Sequence, residues 1–562
     1  MIILRVLIIL FLLIFNYSTA FALPPTMPIS ELQPGMKGYA LTVVDSSNKI
    51  KSFDVEILGT LDGGKGSSSY IMARASGPVI DYTGGVLQGM SGSPVYINGK
   101  LVGALSAIMK DMRPFVFLIT PIDSMLDIWN LQDDFIKPAA PRTKKFLDEK
   151  ALFFCSGFDS KGAEFLKDAL NIKDLAVAAS SSEIKSGTAL EPGSAFGVSV
   201  VAGDFIVGAT GTVTALDDKK LLGFGHSFAH LGNVNFFMNE ASVVGAIPGL
   251  SGGMKMANLG PIIGRINQDR ETGVAGIIGS FPSKIPIQVH VNEENYGAII
   301  AYNESLVPKL GAAIAYAALS KKADSLSEIT VKLGFDIKTN AVDSGILSRE
   351  NLFYSPTDVG LLSITELLQA LTLVNSSTIS EKNISGIDVT ITYENGRNTA
   401  SLVSAKCDKK LVKPGETVNL TVTLQPYRKA EEKMIIPYTV PLTAAAGNFV
   451  IDIHGGGLVQ VSKVQAAGTV APSTKSPAQL YSEQISALLR TPKNNEIVIG
   501  AAARPAPKTE KELKAEIKRL QKLQRRMEQL GIKPSQISPA NRVETNYVID
   551  NVIQCTLNVD KL

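Results

Sequence analysis

The sequence predicts a mainly β protein, and three observations carry that expectation. Short apolar segments recur along the 562 residues, punctuated by 48 glycines. Several of them alternate apolar and polar side chains at the strand period of two. Asn98-Gly99 separates two apolar runs, the pairing that a type I′ hairpin turn requires.

Taken in order, residues 1–22 hold one charge (Arg5), an apolar core through Phe15 and the small-residue site Ala20-Phe21-Ala22. That pattern is a signal peptide, so the mature chain is expected to be exported. An uncleaved anchor helix is the alternative. No later segment is apolar for long enough to span a bilayer. Residues 39–44 and 50–58 read as strands around the turn Asp45-Ser46-Ser47-Asn48, with Phe53, Val55 and Ile57 on one face. Residues 95–97 and 101–108 form the Asn-Gly hairpin, and residues 138–142 read as a connector. Strands return at 197–201, 205–216, 221–224, 262–266, 273–278 and 285–291, with a turn at Asp217-Asp218.

Residues 305–380 read as helical, with Pro308 in a first turn and Ser363 as a cap. Residues 384–460 alternate again, as in Ile387, Val389, Ile391 and Val418, Leu420, Val422, Leu424, and suggest a β-sandwich module. A helix is expected at 477–490, a linker at 501–507 and a final strand at 545–559. Residues 508–530 form a basic amphipathic helix with Leu513, Ile517, Leu520, Leu523 and Met527 along one side. That stripe packs on the body or offers a surface to a protein partner. The expected boundaries are a signal peptide at 1–22, a catalytic domain at 23–300 and a helical segment at 301–380. A sandwich-like module follows at 381–470, then a helical tail with a final strand at 471–562.

The net charge of +3 gives no electrostatic case for nucleic acid. Cys155, Cys407 and Cys555 do not make a disulfide framework, although Cys407 and Cys555 lie in β segments that could bring them together. No Cys/His spacing resembles a metal site, and no cofactor is expected.

The sharpest chemical signal is Gly89-Met90-Ser91-Gly92-Ser93-Pro94. A serine nucleophile needs an exposed hydroxyl on a tight turn and nearby backbone N–H groups for the oxyanion. Gly89 and Ser91 can supply those N–H groups. Of the four histidines, His226 sits at a Gly-flanked strand end in Gly223-Phe224-Gly225-His226 and is the candidate base. His230 is the rival, while His290 alternates with apolar Ile287, Val289 and Val291 and His454 lies in the C-terminal β module. Asp81, ten positions before Ser91, is the leading candidate for the acid that orients the histidine, ahead of Asp269, Asp204 and Asp217. Gly249-Leu250-Ser251-Gly252 looks similar to the serine motif but lacks the following proline and strand.

Thr83-Gly84-Gly85, Gln88-Gly89-Met90-Ser91-Gly92-Ser93-Pro94 and Asn98-Gly99-Lys100-Leu101-Val102-Gly103 resemble the serine segment of the SpoIVB-type peptidases. Gly211-Thr212-Val213-Thr214 followed by Gly225-His226 resembles their histidine segment, and Gly264-Arg265-Ile266 through Gly276 the stretch after it. The resemblance covers roughly residues 30–295. It implies a trypsin-like double β-barrel, Ser91 as nucleophile, His226 as base, and the Gly89 and Ser91 N–H groups as the oxyanion hole. Ser91 precedes His226 here, so the order is permuted relative to the family. No room is left for the family's PDZ domain, and the region matching the family's acid, around Ser76, offers no carboxylate.

The function expected is an exported bacterial serine endopeptidase acting on protein or peptide substrates. Two alternatives are a non-catalytic scaffold on the same fold and a peptidase that mainly processes itself in the 138–145 or 501–507 segments.

Overall fold

A computed structural model describes residues 23–64, 68–108, 115–133, 153–172, 175–177, 189–249, 253–323, 325–376, 384–442, 444–459, 476–502 and 541–560, with a few positions between 509 and 525. The expected signal peptide, the 138–142 connector, Ser251, nearly all of the 501–507 linker and the apolar stripe of the basic helix lie outside the described residues. The chain forms two compact units, residues up to 287 with 296–317, and residues 288–295 with 318 onward.

The first unit is mainly β. Strands β1 (Lys37–Thr42), β2 (Lys51–Leu61), β3 (Tyr70–Ser76), β5 (Pro94–Ile97), β6 (Lys100–Ile108) and β7 (Val116–Pro121) close a barrel in the order β1-β2-β3-β7-β6-β5. The period-two pattern read in the sequence is the reason. Phe53, Val55 and Ile57 of β2 point inward and pack with Ile71, Ala73, Phe117 and Ile119. Each such side chain contributes about 1.5–3 kcal/mol when fully buried. Asn98 and Gly99 take φ of 52° and 75°, as a type I′ turn demands. Between β3 and β5 lie α1 (Pro78–Thr83) and the short β4 (Leu87–Gln88), and α2 (Ile122–Leu126) follows β7.

Beyond β8 (Phe153–Ser156), α3 (Ser160–Leu170) and β9 (Leu175–Val177), a second ring begins. Its strands are β10 (Ala195–Gly203), β11 (Ile206–Asp217), β12 (Lys220–Gly223), β13 (Gly232–Ile247), β14 (Gly253–Arg270) and β15 (Gly273–Ile278). β10 pairs with β13, β13 with β14, β14 with β15, β15 with β12, β12 with β11, and β11 returns to β10. The expected double barrel is thus observed, each barrel with six strands. The strands β13 and β14 extend well past the apolar runs that predicted only 262–266. Asn, Glu and Lys positions inside them break the pattern, and pairing between the two strands holds them together.

The chain passes between units within β16 (Lys284–Val291) and β17 (Glu294–Ala301). The 301–380 segment is not wholly helical. Between α4 (Val307–Lys322) and α5 (Val359–Asn375) runs the hairpin β18 (Ile329–Thr339) and β19 (Ile346–Tyr354). Ile329, Val331, Leu333, Phe335 and Ile337 of β18 alternate with polar residues or glycine and are buried, so the strand period is present there; the helical expectation rested on the apolar runs on either side. The N-cap of α5 is Asp358, which accepts from the Leu361 N–H; Ser363 is buried inside the helix and donates to the Gly360 carbonyl.

β20 (Ile384–Asn395) pairs with β18. After it, β21 (Thr399–Cys407), β23 (Thr417–Pro426), β24 (Glu432–Thr439) and β28 (Val548–Ile549) form one sheet. β22 (Leu411–Val412), β25 (Gly447–Gly455), β26 (Glu496–Ala501), β27 (Asn541–Glu544) and β29 (Val552–Val559) form another. One apolar core contains Leu420, Val422 and Leu424 of the first sheet and Ile451, Ile453 and Leu557 of the second. The sandwich is therefore present, but it draws strands from the expected tail. α6 (Pro477–Arg490) opens with a capping box on Ser476 and Gln479.

Candidate active site

The serine turn lies between β4 and β5, on the first barrel. The Met90 N–H donates to Leu87, the Gly92 N–H to Leu105 and the Ser93 N–H to Met90. The Ser93 hydroxyl also donates to the Met90 carbonyl, at 2.6 Å. Among the described residues the N–H groups of Gly89 and Ser91 have no protein acceptor. The amides of Met90, Gly92 and Ser93 are thus committed to the fold, and the two expected as oxyanion donors are not. Ser91 is half-buried.

The turn is stitched to the second barrel through β11. The Thr212 N–H donates to the Ser91 carbonyl at 2.8 Å, and the Thr214 hydroxyl to the Gly92 carbonyl at 2.7 Å. Gly92 has φ of +94°, and a Cβ there would meet the Thr212 carbonyl oxygen at 2.0 Å and the Phe224 amide nitrogen at 2.5 Å. The backbones of both barrels therefore touch at this residue, and only glycine permits that approach.

The histidine turn follows β12, on the second barrel, and docks on the first. The Thr120 hydroxyl of β7 donates to the Gly225 carbonyl at 2.6 Å, and a Cβ on Gly225 would lie 2.8 Å from the Leu105 carbonyl oxygen. The same carbonyl receives the Gly92 N–H. The Leu105 carbonyl thus bonds the serine turn and lies close against the histidine turn. Phe224 takes φ of 68°, outside the usual range for a residue with a side chain, at a cost of about 1–2 kcal/mol. This reversal ends β12.

His226 is 2% exposed, and its Nδ1 lies 2.7 Å from the Ser227 carbonyl oxygen. That contact selects the Nδ1–H tautomer and makes Nε2 the basic nitrogen. Behind the turn, Asp269 is fully buried and accepts the N–H groups of Phe228, Ala229 and Leu231 at 2.7, 2.9 and 3.1 Å. Burial pushes its carboxyl above the usual range, while the three N–H donors and His230 pull it back.

The two turns meet where Gly92 lies against the Phe224 amide nitrogen, 2.5 Å from the position a Cβ would take. Asp81 is not brought to the histidine. It lies exposed in the first turn of α1, and among the described residues its carboxylate bonds no histidine. Proximity in sequence was its only argument, and α1 carries it to the surface. Asp204 caps a turn by accepting from the Gly297 N–H, and Asp217 is exposed at the end of β11. His230 is exposed, and the Nδ1 atoms of His290 and His454 face Asn295 and the Gly455 carbonyl. Sequence reasoning missed Thr120, Leu105, Ser227 and Lys255. Of these only Lys255 had a signal, a charged residue within the short apolar run 253–257.

Residues 21–120 match the family described as SpoIVB peptidase S55. The segment that holds the first barrel and Ser91 is thus similar to the SpoIVB-type serine peptidases. The matched stretch runs through β1 to β6 and nearly all of β7. His226 and the second barrel lie beyond it, and their relation to a SpoIVB-type site rests on the geometry above. No curated protein and no solved structure matches the chain. Among the described residues no helix is long and apolar enough to cross a membrane.

Proposed function

We propose that this SpoIVB-type protein is an exported serine endopeptidase that hydrolyses peptide bonds through a Ser91 acyl-enzyme. The observation that carries the reading is the turn in which, among the described residues, the Gly89 and Ser91 N–H groups lack acceptors, packed against the turn of a buried histidine. His226 Nε2 takes the Ser91 proton as Oγ attacks the carbonyl carbon. The two N–H groups receive the oxyanion. The imidazolium then protonates the departing amine, and water releases the acyl group by the reverse sequence.

We assign orientation of the imidazole to the Ser227 carbonyl, with Asp269 bracing the loop from behind, in place of the exposed Asp81. Export is proposed from the composition of residues 1–22.

The test is labelling of the mature protein by a fluorophosphonate serine probe in wild type, Ser91→Ala and His226→Ala. Loss of labelling in both variants, with wild-type labelling present, is the expected result. A folded wild type that never labels would replace this reading with that of a binding protein on a peptidase fold.

A further inference from the structure

We propose that Lys255 is a positioning residue for the serine turn and acts through Thr212. β4, which leads into the turn, pairs in parallel with the start of β14, at Leu87↔Gly253 and Gln88↔Met254. The next residue of β14 is Lys255, 3% exposed, whose Nζ donates to the Thr212 hydroxyl at 3.2 Å. That hydroxyl donates in turn to the Gly89 carbonyl at 3.3 Å, and the Thr212 N–H holds the Ser91 carbonyl. The amine thus ends a chain that fixes the residues on both sides of Met90. A cavity of about 20 Å³ adjoins it, lined by Gln88, Gly89, Phe154, Ala176, Thr210 and Ala257, and Lys255 is the one titratable group there.

Burial without a carboxylate partner lowers its ammonium to about 7. The neutral amine keeps its bond to Thr212 without the desolvation cost of the charged form. A charged ammonium would draw in water and compete for the Gly89 carbonyl.

The role rests on Ser91 being the nucleophile, so two readouts separate the claims. The first is the rate of fluorophosphonate labelling from pH 5.5 to 9 in wild type, Lys255→Met, Thr212→Val and the double variant. The second is amide exchange of residues 86–94 in the same proteins. Labelling should fall at least about tenfold in each single variant, with no further loss in the double, because both break one chain. Wild type should lose rate below pH 7 more steeply than Lys255→Met, which lacks the buried amine. Exchange should quicken in both single variants. Wild type that never labels, with quickened exchange in the variants, would sink the peptidase reading and keep the tether. Unchanged exchange with a wild-type rate and pH profile in Lys255→Met would overturn the proposal.

A separate observation lies in the second unit. The Sγ atoms of Cys407, at the end of β21, and Cys555, in β29, are 2.8 Å apart within the sandwich core. We infer that they form a disulfide joining the two sheets when the protein meets an oxidising compartment. Each thiol gives up a proton and an electron, one S–S bond forms, and a disulfide-bearing oxidant is reduced to its dithiol. Cys155 remains a thiol in β8.

Thiol counting in denaturant, after exposure to oxidised glutathione at pH 8, should find one thiol per chain. Digestion without reductant should yield a linked pair of peptides containing Cys407 and Cys555. Three thiols, or a pair that includes Cys155, would overturn it.

Discussion

Replacing Asp269 by alanine is the most direct probe of the histidine loop. The carboxylate is buried and accepts three backbone N–H groups, from Phe228, Ala229 and Leu231. Truncation leaves all three without an acceptor at the foot of the loop. Each buried orphan costs about 1–3 kcal/mol, and partial relaxation of the loop brings the sum to roughly 3–6 kcal/mol. Asparagine retains one oxygen, which can serve Ala229 and Leu231 while its amide faces the Phe228 N–H, so the loss there is about 1–3 kcal/mol. The chain has two units, and a global melt would mix them. Its single tryptophan, Trp129, lies in the first unit with its indole N–H directed at the Leu221 carbonyl of β12. Its fluorescence therefore reports the barrel that holds the loop. With a slope of about 3 kcal/mol per molar urea for a unit of this size, Asp269→Ala should move the midpoint down by about 1–2 M. Asp269→Asn should fall between it and wild type. A midpoint within about 0.3 M of wild type for Asp269→Ala would refute the bracing role of the carboxylate.

Gly92→Ala drives a methyl into backbone of the second barrel, 2.0 Å from the Thr212 carbonyl oxygen, and should cost roughly 2–5 kcal/mol in urea unfolding and at least about a hundredfold in probe labelling. Lys255 titrates near 7 when folded and near 10.4 in the unfolded chain, so between those values the unfolded state holds more protons. Stability of the first unit should therefore rise with pH from about 7 to 10, with the full burial cost present below 7, and Lys255→Met should abolish that slope in Trp129-monitored unfolding. Cys155 is buried, which pushes its thiol up to about 12, and it should resist iodoacetamide at pH 8 until urea unfolds the barrel. In the second unit Glu366 pairs with Arg349 and accepts from Asn351, all three of them buried, so Glu366→Ala should destabilise that unit by about 3–5 kcal/mol while leaving the Trp129 transition in place.

The sequence by itself determined the β class, the Asn98-Gly99 hairpin, the strand positions of the first barrel and the serine turn. These follow from local rules: a period of two buries one face, and a tight turn needs glycine where φ is positive. The same rules marked His226 as a histidine at a Gly-flanked strand end. They failed where pairing between strands outweighs local pattern, as in β13 and β14, whereas the alternation of β18 obeys them although helices flank its hairpin. Only the tertiary structure decided which groups surround the site. Closing each barrel through six strands brings Thr212 and Thr120 against turns about a hundred residues away in sequence or more, at distances set by backbone contact at Gly92 and Gly225. It carries Asp81 to the surface and Asp269 beneath the histidine loop, and it seals the amine of Lys255 beside the serine turn. No spacing along the chain records such placements, because burial and hydrogen-bond partners are properties of the closed barrels.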